Sequence, residues 1–185
     1  VMQARRAINP LFLRDAELER SLGLLALLQL DLGATVADVL DRAGLELADL
    51  ALLARLDTAS RRRQAMTAAE LAAHLGWTKQ RMSRRLQHLA GLGLIERAAD
   101  EGDRRKRALA LTEAGSRLVA EALELQKRWL RRIFRRAGAP EVAGFQNVLL
   151  VAAQSSPRGR FLLPAPAAEG SARESRVGAD DGSAS

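Results

Sequence analysis

Residues 67–93 read Thr67-Ala-Ala-Glu-Leu-Ala-Ala-His-Leu-Gly-Trp-Thr-Lys-Gln-Arg-Met-Ser-Arg-Arg-Leu-Gln-His-Leu-Ala-Gly-Leu-Gly93. Thr67 and Glu70 stand at capping-box spacing. The hydroxyl can accept from the Glu70 N–H, and the carboxylate can accept from the Thr67 N–H. This predicts a short helix ending near Leu75-Gly76. Thr78 can cap a second helix, with Met82, Leu86 and Leu89 turned inward and an end between Gly91 and Gly93. Two short helices around a tight Gly76-Trp77 turn make a helix-turn-helix.

Beyond Gly93 the period changes. Residues 94–98 and 106–112 read as short strands around the turn-rich Asp100-Glu-Gly-Asp103. Leu109 and Leu111 alternate with Ala108 and Ala110, which predicts one buried and one open face. A hairpin directly after a helix-turn-helix is a wing. A long helix then follows over 113–136. Its apolar stripe is Leu118, Val119, Ala122, Leu125, Trp129, Ile133 and Phe134. Gly138 ends it, and Pro140 occupies the expected first position of a last helix reaching about Ala153. The Ala-, Ser-, Gly- and Pro-rich residues 155–185 read as a disordered tail, with Phe161-Leu-Leu163 as its one candidate docking segment.

Before the helix-turn-helix, the first ten residues read as a loose arm to Pro10. Leu18, Leu22, Leu25, Leu32, Val36, Val39 and Leu40 recur at three- and four-residue steps. They predict one helix over 16–43, closed by a left-handed Gly44. Leu50, Leu53 and Leu56 predict another over 47–56, followed by a polar linker, 57–64.

In this order, Thr67-Ala-Ala-Glu-Leu-Ala-Ala-His-Leu-Gly76, Thr78-Lys-Gln-Arg-Met-Ser-Arg84, Gly93-Leu-Ile-Glu-Arg97, Asp103-Arg-Arg105 and Leu111-Thr-Glu-Ala-Gly115 resemble the MarR family of winged-helix regulators. The resemblance covers about 16–150. It implies a mainly α fold with a small β-hairpin wing, in which terminal helices of two chains interlock. The chain is then divided into N-terminal helices of a dimerisation body (1–57), a winged helix-turn-helix lobe (58–112), C-terminal dimerisation helices (113–154) and the tail (155–185). Leu18, Leu22, Leu125, Trp129 and Ile133 are the expected interface residues. The resemblance also implies a pocket between body and lobe for a small lipophilic or anionic aromatic effector. Arg85 departs from the family, which commonly has a medium apolar residue there. It is expected to reach outward to a phosphate. Ala90, Gly91 and Leu92 likewise replace charged residues.

The charge distribution points the same way. The net charge is −3 over 1–57, +7 over 58–112, +3 over 113–154 and zero over 155–185. A basic block within one compact segment suits a polyanion, although a solvated basic face would carry the same charge. Thr78, Lys79, Gln80, Ser83, Arg84 and Gln87 lie at the start of the second helix or away from its apolar side. These side-chain types reach base edges or phosphates. On the wing, Arg104, Arg105 and Arg107 are placed to enter a minor groove, with Asp103 pairing to an arginine or shaping the turn.

Other classes have little support. With no cysteine and only His74 and His88, thiolate chemistry is excluded and a zinc site is not expected. Neither histidine has a partner in register for catalysis, and no phosphate-binding glycine loop occurs. No cofactor or enzymatic activity is expected. The longest apolar run is Leu22 to Leu28, too short for a span, and no secretory signal is read, so the expected address is cytoplasmic. The expectation is a homodimeric, ligand-responsive repressor on a pseudo-palindromic duplex site. The alternative is a winged-helix module used for protein contacts.

Overall fold

A computed structural model describes residues 14–98 and 108–156. Its first helices are α1 (Asp15–Ala34) and α2 (Ala37–Ala43). The single helix expected over 16–43 is thus two, bent by 51°. The Thr35 hydroxyl donates to the Leu32 carbonyl at 2.7 Å, competing for a helical acceptor. Val36 leaves helical geometry at φ −116, ψ 0 and is fully buried. The bend therefore seats Val36 in the core. Gly44 closes α2 at φ 66.

Helix α3 spans Leu47–Arg61, five residues beyond the expected end at Leu56. The polar composition of 57–64 does not end it, because one face still packs. Ala59 is buried, and Arg61 donates to Asp57 one turn away at 2.7 Å. The division at 57/58 therefore falls inside a helix.

Helices α4 (Ala68–Leu75) and α5 (Lys79–Gly91) form the helix-turn-helix. Both halves of the capping box are made. Glu70 N donates to Thr67 Oγ1 at 3.3 Å, and Thr67 N donates to Glu70 Oε2 at 2.8 Å. Gly76 takes the left-handed conformation at φ 66.

Strands β1 (Ile95–Ala98) and β2 (Ala108–Leu111) pair antiparallel, with Ile95 opposite Leu111 and Ala98 opposite Ala108. The expected alternation is not found. Ala108 is the buried residue of β2, while Leu109 and Leu111 are half-buried against the core. The reason is a neighbour that the local pattern does not show. Thr67 bridges to Ala108, and Leu109 N donates to Met66 O at 2.8 Å, so segment 66–67 covers that edge.

Helices α6 (Glu113–Ala137) and α7 (Ala139–Ser155) complete the described chain. Thr112 Oγ1 accepts from Gly115 N at 3.1 Å and donates to Gly93 O at 2.7 Å, tying the start of α6 to the end of α5. Pro140 is the second residue of α7, not the first. Phe134 and Phe145 meet edge-on at 6.2 Å and hold α6 against α7.

One core joins α2 to α6 through Val36, Leu52, Leu53, Leu71, Met82, Leu89 and Val119. Neither α1 nor α7 contributes a buried residue. Ser155, read as the first residue of the tail, is instead the last of α7. The arm before residue 14 and residues 157–185, with Phe161-Leu-Leu163, lie outside the described residues.

Candidate nucleic-acid interface

Helix α5 divides into three sectors, because successive residues turn by about 100°. Met82 and Leu89 are buried, and half-buried Leu86 packs beside them. Lys79, Gln80, Ser83, Arg84 and Gln87 form a second, contiguous sector, and all are exposed. Thr78, also exposed, accepts from Arg81 N at 3.2 Å and so caps the helix. The structure thus gathers all six expected residues at one end and one side of one helix. Such a face carries cationic, amide and hydroxyl donors and leaves the helix N-terminus open to a phosphate.

The third sector is Arg81, Arg85 and His88, and local sequence reasoning missed its role. The Arg81 guanidinium lies 4.4 Å from the Trp77 ring centroid, a cation–π contact that closes the turn. The i, i+4 spacing of this pair was the available signal. Arg85 does not reach outward to a phosphate as expected. Its Nη1 donates to Asp49 Oδ2 at 3.1 Å, and its Nη2 pairs with the Glu46 carboxylate. Asp49 is fully buried, and burial of a carboxylate calls for a counter-charge. His88 Nε2 lies 3.2 Å from Gly44 O, and His74 Nδ1 lies 3.1 Å from Arg55 Nη2, so both histidines make structural contacts.

The Arg85 hydrogen bond, helped by the charges of Arg85, Arg81 and His88, holds the Glu46 carboxyl below its ordinary value of 4.5. The same bond raises the Arg85 pKa. A carboxyl whose folded pKa is depressed stabilises the fold fully above its unfolded value and loses that contribution as pH falls through the folded one. A melting-temperature series should therefore be flat for Glu46 above pH 4.5 and fall below it, and Glu46→Gln should flatten that acid limb.

The wing residues Asp103, Arg104, Arg105 and Arg107 lie outside the described residues. Strand β1 packs beside α5, and a cavity of about 470 Å³ lies between α4, α5 and the β1–β2 pair. Ala72, Met82, Leu86 and Leu109 line it, and Ser83 and Gln87 stand along it. Another, of about 700 Å³, separates Leu30 of α1 from Leu40 and Leu45. Both volumes suit a small organic molecule. No group of three or more metal-ligating side chains occurs among the described residues.

Of the expected interface residues, Leu18, Leu22 and Ile133 are exposed, while Leu125 and Trp129 are half-buried. Leu125 packs against the chain's own core. The larger apolar surface is one the sequence reading did not single out: Leu24, Leu27 and Leu30 of α1, and Val148 to Val151 of α7. No single helix among the described residues is long and apolar enough to cross a membrane.

The sequence model described as the MarR family matches residues 43–106, from the end of α2 to beyond β1. Over this segment the chain is similar to the MarR family. Over 88 residues, 48% of the chain, the sequence is 41% identical to the HTH-type transcriptional regulator PetP of Rhodobacter capsulatus. The chain spans about half, 53%, of that relative's length. The crystal structure of MarR superposes with a TM-score of 0.56 at 26% identity, over 71% of this chain and 93% of that one. A Staphylococcus aureus MepR–DNA complex gives 0.54 at 19% identity, over 71% and 96%. The MarR-family fold therefore extends beyond the matched segment into the flanking helices.

Proposed function

We propose that this chain is a MarR-type transcriptional regulator that binds duplex DNA as a homodimer and acts without catalysis. The observation that carries the reading is the exposed sector of α5, where Lys79, Gln80, Ser83, Arg84 and Gln87 stand together beside the hairpin. Phosphate contacts fix such a helix on DNA, and side chains on its exposed face read base edges. The shared fold of MepR, a protein with a DNA complex, lends support. Two recognition helices about 34 Å apart meet successive major grooves, so a two-fold assembly suits a pseudo-palindromic site. The wing arginines, Arg104, Arg105 and Arg107, supply the minor-groove contact. The regulator is a cytoplasmic repressor, released when a small lipophilic or anionic aromatic molecule changes the separation of the two lobes.

A salt titration on duplex DNA tests this reading. A dimer presenting two basic lobes should contact roughly 6–10 phosphates, with log K falling by about 0.9 per phosphate against log salt. Affinity should drop on the order of a thousandfold or more between 50 and 200 mM salt. A flat response would overturn DNA binding and favour a winged helix used for protein contacts.

A further inference from the structure

We propose that Arg85 is a positioning residue for DNA reading: by bridging Glu46 and Asp49 it fixes the rotation of α5 against the start of α3. The inference rests on the DNA-binding reading above. Three ties run along one stripe of α5, from Arg81 on Trp77, through Arg85 on the two carboxylates, to His88 on the Gly44 carbonyl. The stripe lies between the buried sector and the reading sector. Of these ties, the central one has the most demanding geometry. Arg85 presents two nitrogens of one planar fork to two different carboxylates, which sets the guanidinium's direction as well as its distance. Asp49 cannot readily yield, because it is fully buried and its Oδ2 also accepts from Glu46 N at 2.9 Å, capping α3. The adjacent Arg84 lies about 100° around the helix, so holding Arg85 decides where Arg84 points.

A contact with a phosphate would give the opposite behaviour, and this makes the proposal testable. Removing the negative charge of Glu46 should raise affinity for a polyanion on electrostatic grounds alone. It would also release Arg85 toward the backbone if that were its role. Positioning predicts a loss instead. The Glu46 side chain is 64% exposed, so Glu46→Gln should fold.

The experiment compares wild type, Glu46→Gln, Arg85→Gln and Arg85→Lys on a duplex selected by the wild type from a random pool, and on an unselected duplex. Glu46→Gln and Arg85→Gln should each bind the selected duplex at least about tenfold more weakly, with little change on the unselected one, a loss of about 1.4 kcal/mol. The salt slope of Arg85→Gln should match wild type, whereas two lost phosphate contacts per dimer would lower it by roughly 1.8. Arg85→Lys should recover only part of the loss, since ammonium lacks the two-point fork. Without DNA, amide exchange over 79–91 should quicken in Glu46→Gln. Unchanged exchange, or Glu46→Gln binding as tightly as or more tightly than wild type, overturns the proposal while leaving DNA binding intact. A wild type that fails to bind duplex overturns both.

Discussion

Gly115→Ala should be among the most destabilising single-methyl additions in this chain. A Cβ built at Gly115 would stand 2.1 Å from the Leu94 carbonyl oxygen and 3.1 Å from its carbon. Both atoms are backbone, so no rotamer change relieves the clash. The Leu94 oxygen also accepts from Thr112 N at 3.1 Å, immediately before α6. Moving α6 away would break this bond and strain the Thr112 cap, which holds Gly115 N and Gly93 O together. Overpacking of this kind typically costs 1–3 kcal/mol and sometimes more; with no flexible neighbour, about 3 kcal/mol or above is expected. For a chain of this size that lowers the melting temperature by about 6–12 °C. Gly91→Ala is the matched control. No atom lies within 4 Å of its added Cβ, so it should change stability by only a few tenths of a kcal/mol, in the favourable direction. Thermal melts of the two variants decide the matter; equal melting temperatures would show that α6 is not held against Leu94.

The contrast between those two glycines marks what the sequence can express. Gly115 appears in the sequence only as part of Leu111-Thr-Glu-Ala-Gly115, with no local sign that a strand carbonyl lies against it. The features legible from sequence were those made by near neighbours in the chain. The Thr67–Glu70 box, the Thr78 cap and the glycine stops need no distant partner, and they placed α4, α5 and the exposed polar side of α5. Distant partners explain the rest. Val36 breaks the first helix because a core formed by later elements receives it. Helix α3 runs on through a polar stretch because Ala59 packs. Arg85 looks like an outward cation until a buried carboxylate 36 residues earlier is brought beside it. The charge balance of 58–112 could not show this, because Glu46 and Asp49 belong to the acidic segment before it.

Leu22→Glu should convert the proposed homodimer to a monomer. Helix α1 extends for 20 residues without one buried side chain, and Leu22 and Leu30 are 66% and 71% exposed. On α7, Val148 and Val151 are comparably open. Apolar surface of this extent is uncommon on a monomer, and a second copy offers a surface of matching character. In a two-fold interface each residue occurs twice, so one substitution acts at two places. Fully burying a leucine side chain stabilises by about 1.5–3 kcal/mol, and a buried carboxylate adds a desolvation penalty. The expected loss is therefore about 3–6 kcal/mol, or 10²- to 10⁴-fold in dimer affinity. Sedimentation at micromolar concentration should give about twice 20.1 kDa for wild type and the monomer mass for Leu22→Glu. The helical content and the α2–α6 core should persist, since α1 buries nothing there. DNA affinity should fall with the dimer, because a lone lobe engages one half-site and loses the coupling of two recognition helices. A wild-type monomer, or a Leu22→Glu dimer of unchanged affinity, would place the leucines of α1 outside the interface. If the variant instead stays dimeric while Leu149→Glu dissociates, α7 forms the seam and α1 only flanks it.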